Sequence, residues 1–361
     1  MVNSEFMDIN ELLNLTIKNN ASDLHILPGI PPVIRIDGGL RYISNYAALT
    51  HEIVENMIYS LLTPAQKELV INNKELDFSF GFGGGDYGNL GRFRVNIYYQ
   101  RGFLSAALRF LVPNIRTIEE LNLPKILHSF ADLKQGFILL TGPTGHGKST
   151  TLAAIINEIN LKRSVHILTI EDPVEYIYPA GKSIISQREM DIDTHSWPKA
   201  LRSALREDPD VVLVGEMRDP ETISAAITIA ETGHLVFSTL HTNSAAQTVD
   251  RVIDSFPSTQ QSQIKTQLAS TLKGIISQRL LPQINGGRIP AVEVLLGSTA
   301  IASTIREGKT HLIDSIIQTS QDAGMITLES SLASLVLSGS ISLEMAKSYS
   351  LRPDDLLRLV G

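Results

Sequence analysis

Nine consecutive residues, Gly142-Pro143-Thr144-Gly145-His146-Gly147-Lys148-Ser149-Thr150, contain the pattern G-x-x-x-x-G-K-[ST]. That pattern suits the binding of a polyphosphate. Its glycines let backbone N–H groups turn inward around an anion. A helix start behind them adds partial positive charge. Lys148 is placed to reach the β- and γ-phosphates of ATP, and the Ser149 hydroxyl to bind Mg²⁺. The flanks supply the required context. Phe137-Ile138-Leu139-Leu140 reads as a buried strand, and Thr151-Leu152-Ala153-Ala154-Ile155-Ile156 reads as a helix. An ordinary glycine loop before a helix is the bland alternative, and this context argues against it.

Carboxylates follow at two further strand ends. Asp208-Pro209-Asp210-Val211-Val212-Leu213-Val214-Gly215-Glu216 is an apolar strand closed by an acid. Glu216 at that position can meet Mg²⁺ or polarise the attacking water. By itself it could equally be a solvated loop carboxylate; beside the phosphate loop the catalytic reading wins. Ile170-Glu171-Asp172-Pro173-Val174-Glu175-Tyr176 puts three carboxylates in one short turn. They could hold Mg²⁺-bound water, pair with arginines or simply cap the turn, and spacing alone leaves these open.

Thr232-Gly233-His234 and His241-Thr242-Asn243 bracket the strand Leu235 to Leu240, so both histidines could face the nucleotide. The position favours a γ-phosphate contact or a subunit-interface role for His234. With no third soft ligand at a suitable spacing, metal ligation is disfavoured. Arg92, Arg94, Arg101 and Arg109 lie on neighbouring strands, and alternation puts Arg92 and Arg94 on one face. A surface arginine usually means solvation only, yet phosphoryl transfer benefits from an arginine supplied from outside the phosphate loop.

The elements that must position these groups fall into two domains, as a chain of 361 residues suggests. Residues 7–112 read as a compact α+β module. In it Ile9 to Lys18 and Ile53 to Val70 are helical, with a hairpin near Pro32 to Gly39. Its further strands are Asp77 to Phe82, Gly91 to Gln100 and Ser105 to Leu111, with a turn at Gly83 to Asp86. Residues 113–124 read as a linker. Within 125–361, strands at Gly136 to Thr141, His166 to Glu171, Ser183 to Gln187, Val211 to Gly215 and His234 to Thr239 alternate with helices. This predicts an α/β fold with a parallel sheet and its ligand site at the strand C-terminal ends. From Val249 onward the reading is mostly helical, with a short hairpin near Gly286-Gly287.

Composition narrows the function. There are no cysteines, which excludes disulfides, thiolate zinc sites and iron–sulfur clusters and suits a reducing cytoplasm. The net charge of −7 argues against a general nucleic-acid binder. No apolar run is long enough to span a bilayer, and no signal peptide is visible. Met1 to Phe6, preceding a second methionine at Met7, resembles an expression-vector remnant.

Taken together, in order and spacing, the motifs resemble the type IV pilus retraction ATPases of the PilT family, within the hexameric secretion ATPases. The resemblance runs from Met7 to Gly361. Ala21-Ser22-Asp23-Leu24-His25-Ile26 is similar to the N-terminal signature. Gly91-Arg92-Phe93-Arg94-Val95-Asn96 and Gln100-Arg101-Gly102 are similar to the arginine-bearing strands. Glu171 to Tyr176 resembles the Asp box, Val214-Gly215-Glu216-Met217-Arg218-Asp219 the Walker B segment, and Thr232 to Asn243 the His box. Ile275-Ile276-Ser277-Gln278 and Leu280-Leu281-Pro282 fall in the expected C-terminal helical region.

The resemblance implies a PAS-like N-terminal domain and a RecA-like P-loop ATPase domain with a helical C-terminal region. It also implies a homohexamer with nucleotide between the domains. Lys148 and Ser149 would bind phosphate and Mg²⁺, and Glu216 would be the catalytic carboxylate. Glu171 and Glu175 would support Mg²⁺ and water, His234 would sense the γ-phosphate, and Arg94 and Arg109 would reach the nucleotide. Mechanical work would be done on an inner-membrane pilus platform protein, by a cytoplasmic chain peripheral to that membrane. No added N-terminal domain and no tetracysteine zinc site are present, which favours the retraction type over the extension type. One segment departs: Ala300-Ile301-Ala302-Ser303-Thr304-Ile305 stands where retraction ATPases usually carry Ala-Ile-Arg-Asn-Leu-Ile. Alternatives are a type II or type IV secretion motor, a nucleotide-gated binding module, or a nucleic-acid translocase, the last disfavoured by the acidic balance.

Overall fold

Strand alternation in the first hundred residues builds an antiparallel sheet with one apolar and one polar face. The computed structural model describes residues 8–36, 38–83, 91–111 and 114–361. The expected turn at 83–86, the tip of the hairpin at Asp37 and the segment before Met7 therefore lie wholly or partly outside the described residues. The chain divides into two units, residues 1–114 with 175–177, and the remainder from Ile115.

In the first unit, helix α1 (Ile9–Lys18) is followed by strands β1 (Asp23–Ile26), β2 (Val33–Ile36) and β3 (Gly39–Tyr42). Helices α2 (His51–Ser60) and α3 (Pro64–Asn73) come next, then β4 (Glu75–Phe82), β5 (Gly91–Gln100) and β6 (Phe103–Leu111). The strand order is β3-β2-β1-β6-β5-β4, antiparallel throughout. Leu24, Ile26, Val95, Ile97, Ala106 and Leu108 point to one face and are buried with α1 and α2 residues Leu12, Leu13, Val54 and Ile58. Helix starts are capped as their sequences dictate: Asp8 accepts from the Asn10 N–H, and Thr63 with Gln66 forms a reciprocal box at α3.

The second unit opens with Ile118, Leu121 and Leu123 buried in its core, followed by helix α4 (His128–Asp132). Then come β7 (Gly136–Thr141), α5 (Lys148–Lys162), β8 (His166–Glu171), β9 (Ile184–Glu189), α6 (Trp197–Ala204), β10 (Val211–Val214), α7 (Pro220–Glu231), β11 (Leu235–Leu240), α8 (Ala245–Asp254) and α9 (Ser258–Thr271). Strands β12 (Leu272–Pro282) and β13 (Arg288–Leu296) precede α10 (Thr299–Glu307), α11 (Ile313–Thr319), α12 (Leu328–Leu337), α13 (Leu343–Tyr349) and α14 (Pro353–Val360). The sheet order is β13-β12-β7-β11-β10-β8-β9, parallel except for the antiparallel β12–β13 pair. The strand run Phe137 to Leu140 is fully buried on both faces, each side chain contributing about 1.5–3 kcal/mol by burial.

Ile275-Ile276-Ser277-Gln278 and Leu280-Leu281-Pro282 are not helical but form the long strand β12. A short apolar run fits a buried strand and a buried helix equally well by periodicity. Here the exposed backbone edge of β7 decides: Ile275 pairs with Leu139 and Ile276 with Leu140. The hairpin at Gly286-Gly287 closes this β12–β13 pair.

One ion cluster fastens the start of the second unit to the phosphate-loop helix. His128 Nδ1 lies 2.7 Å from Glu158 on α5, and its Nε2 lies 2.7 Å from Glu119. The Glu158 bond, followed in effect by opposing burial and by Glu119, raises the His128 pKa above its ordinary value. A raised folded-state value means stability that is complete below the ordinary histidine pKa and is lost as pH rises through the folded value. The melting-temperature advantage of wild type over His128→Gln should therefore shrink from pH 6 toward alkaline pH. An advantage constant with pH would show that packing, not charge, is what His128 supplies.

Candidate active site

The phosphate loop leaves the buried strand β7 and enters α5 at Lys148. Gly147 caps that helix at φ +80°. Gly142 stands at φ +140°, and a Cβ there would strike the Gln278 carbonyl oxygen of β12. Both glycines are therefore required by conformation, the second also by close approach. Gln278 is buried and works as a brace. Its amide donates to the His146 carbonyl at 2.8 Å, and its Oε1 accepts from Thr151 Oγ1 at 2.8 Å. His146 Nδ1 accepts from the Leu280 N–H at 3.1 Å, while burial, ahead of the nearby Arg279, Lys148 and Arg288 charges, keeps its pKa low. His146 thus ties the loop to β12.

Lys148 is 8% exposed, and its ammonium donates to the Gly142 and Pro143 carbonyls at 2.8 and 3.0 Å. Ser149, next in the first helical turn, presents its side chain to solvent. Pro143, Thr144, Gly145 and Thr150 complete the cradle. A lysine held over N–H-lined glycine backbone, beside an accessible hydroxyl at a helix start, fits the phosphates and the divalent ion of a nucleotide.

Glu216 follows β10 at the same edge of the sheet. The Gly215 N–H extends the ladder to Ile170 O, and Thr239 Oγ1 donates to Gly215 O at 2.6 Å, fixing the backbone from both neighbours. Its Oε2 accepts from Arg218 at 3.0 Å, and its Oε1 lies 3.1 Å from His241 Nε2. Burial pushes the carboxyl pKa up, but the Arg218 bond and the charge of His241 outweigh it and hold the group below the ordinary carboxylate value. His241 Nδ1 lies 3.3 Å from Thr144 Oγ1 of the phosphate loop. Since a carboxylate only accepts, the Nε2 facing it carries the proton. The result is a chain Glu216–His241–Thr144.

The two histidines lie at opposite ends of one strand. Strand β11 runs parallel to β7, with Leu235 opposite Gly136 and Leu240 opposite Thr141. His241 therefore leaves the strand at the phosphate-loop edge. His234 enters at the opposite edge, six strand residues away, or about 20 Å. There its Nδ1 lies 3.0 Å from Thr232 Oγ1 and 3.1 Å from Ile229 O, so within one chain it does not face the nucleotide cradle. Strand direction was the available signal.

Glu171 ends β8 at the site edge, where its Oε1 accepts from Thr169 Oγ1 at 2.7 Å and from Gln187 at 3.3 Å. Glu175 lies beyond it in the following loop, half-buried. In the first unit, Arg94 is directly opposite Arg109, which is opposite Asp23, itself opposite Arg35. Arg94 is paired with Asp77 at 2.7 Å and Arg109 with Asp23 at 3.0 Å, while Arg92 bonds Ser79. Arg101 sits in the β5–β6 turn with φ +50°. Like charges set face to face are thus each balanced by an acid on the polar face of the sheet.

Residues 106–337 match the model of the type II/IV secretion system protein family. The chain belongs to that family. It is similar to the type IV pilus retraction ATPase PilT of Pseudomonas aeruginosa, at 46% identity over 97% of this chain and 100% of that protein. It is also similar to a twitching motility protein of Neisseria gonorrhoeae, at 47% identity over 88% of this chain and 83% of the relative. Among solved structures, the pilus retraction motor PilT with bound ADP superposes with a TM-score of 0.90 at 46% identity, covering 98% of this chain and 100% of the other. Within its family the chain is therefore PilT-like, with the same antiparallel-sheet domain and mostly parallel ATPase sheet.

Proposed function

We propose that this chain is an ATP-hydrolysing motor that powers type IV pilus retraction and so twitching motility. The observation that carries the chemistry is the chain Glu216–His241–Thr144 beside Lys148, which puts an ionised carboxylate and a histidine at one phosphate loop. Lys148 and the loop N–H groups hold the phosphates. Glu216 orients water for in-line attack on the γ-phosphate and takes its proton. His241, held between carboxylate and loop, links the two as the γ-phosphate comes and goes. Ser149 and Glu216, with Glu171 and Glu175 through water, would hold Mg²⁺, which when bound draws charge from the phosphate oxygens. Charge brought from outside the loop is the role proposed for Arg94 and Arg109. For His234, the compatible role is at a subunit interface.

Homology to a pilus motor supports a homohexamer acting on an inner-membrane platform protein, on the cytoplasmic side. Among the described residues no helix is long and apolar enough to cross a membrane. The residues Ala302-Ser303-Thr304, which depart from the usual retraction segment, lie on α10 against α9, with Thr304 buried. That departure supports, as a second reading, a secretion motor of the same family.

Turnover per chain should rise with protein concentration as the mass moves from monomer to hexamer in ATP and Mg²⁺. A monomer inactive under every condition would overturn the motor. His241→Ala should lower kcat about 10- to 100-fold with ATP affinity nearly kept; wild-type kcat would remove His241 from the chemistry.

A further inference from the structure

Glu293 on β13 is 2% exposed, yet the steps above do not use it. It stands directly opposite Ser277 of β12, which is opposite Thr141 of β7, which is beside Leu240 of β11. This row crosses four strands one residue short of Gly142 and of His241. Thr141 Oγ1 donates to Ser277 Oγ at 2.9 Å. Glu293 Oε1 accepts from the Ala245 N–H at 2.6 Å. Ala245 is the first residue of α8, and its N–H is among those a helix leaves without an internal partner. A carboxylate there gains from the helix dipole as well.

Four residues, His241 to Ser244, separate β11 from that helix. They are tied to the first turn of α8: the Asn243 N–H donates to Gln247 Oε1 at 3.2 Å, and the Thr242 and Thr248 hydroxyls meet at 2.7 Å. The segment is fixed at one end by β11 and at the other by Glu293. The groups facing Glu293 are Arg279 from β12, Asp314 from α11, Glu329 from α12 and Arg352 before α14. Burial pushes its carboxyl up to about 7, with the Ala245 N–H opposing and Asp314 adding to the rise.

We propose that Glu293 is a positioning residue for ATP hydrolysis: by holding the start of α8 it holds His241 in reach of Glu216 and Thr144. This rests on the role given to His241 above.

The test uses the full chain with Glu293→Gln, Glu293→Ala, His241→Ala and the double alanine variant, measuring kcat and KM for ATP from pH 5.5 to 9. Glu293→Ala should lower kcat about tenfold with KM within about twofold, as for a misplaced catalytic group. Wild-type kcat should rise through about pH 7 as Glu293 loses its proton; Glu293→Gln, fixed in the neutral form, should lack that step. In the His241→Ala background, Glu293→Ala should cost less than about twofold, since two residues acting through one path are not additive. Equal losses in both backgrounds, or a glutamine variant with the wild-type pH profile, would overturn the proposal. If His241→Ala alone turned over normally, the His241 reading would fail, and a surviving Glu293→Ala defect would show a different action. Should the alanine variant not fold, the isosteric glutamine variant still decides the matter by its pH profile.

Discussion

Glu216→Gln is expected to leave ATP bound and stop its hydrolysis, with kcat falling about 10²- to 10⁴-fold. The geometry separates binding from chemistry. Glu216 sits at the end of β10, held by Arg218 and His241, while the phosphate cradle belongs to the β7–α5 turn and Lys148. The amide keeps size and one acceptor but loses the charge that water activation needs. It also places an N–H₂ where His241 Nε2 carries a proton, so the Glu216–His241–Thr144 chain should loosen. Phosphate release under single-turnover conditions, read beside fluorescent-nucleotide affinity, separates the two effects. A near-normal rate with tight binding would show that another group activates water.

Lys148→Ala should abolish turnover and weaken ATP binding. A charge-assisted hydrogen bond is worth about 1.5–3 kcal/mol, or roughly ten- to a hundredfold in affinity. The loss has a second source. The ammonium is bonded to the Gly142 and Pro143 carbonyls, so removing it unpins the entry to the loop as well as the contact to phosphate. Circular dichroism should report an unchanged fold, since the apolar row from Phe137 to Leu140 does not depend on Lys148. Turnover at the wild-type rate would place the phosphate site elsewhere.

Much of this molecule is legible in its residues. The strand at 136–141, the glycine turn and the helix after it need only local rules, and α1 and β5 follow from periodicity with their observed bounds. What local rules miss is decided by partners distant in sequence. Strands β1 and β3 are four residues each, too short for alternation to declare itself. Strand β12 is buried on both faces along most of its length, so only its pairing with β7 distinguishes it from a helix. Arg94 and Arg109 were readable as arginines on neighbouring strands, but not that they oppose each other and that Asp77 and Asp23 balance them. His241 carried the same local signal as His234, and strand direction, a property of the whole sheet, tells them apart. The contact of Glu293 with Ala245, 48 positions away, has no local signal at all.

The close approach of Gly142 to the Gln278 carbonyl has a mechanical meaning. Strand β12 lies flush behind the phosphate loop, is laced along its length to β13, and the far ends of that pair, at Leu281, Ile289 and Ala291, are embedded among Leu328, Leu332 and Leu356 of the last helices. A tug on those helices would travel down a stiff two-stranded rod and arrive at the nucleotide cradle as displacement, with little slack in which to dissipate. An opposing force on the C-terminal helices should therefore register as a change in how readily nucleotide leaves.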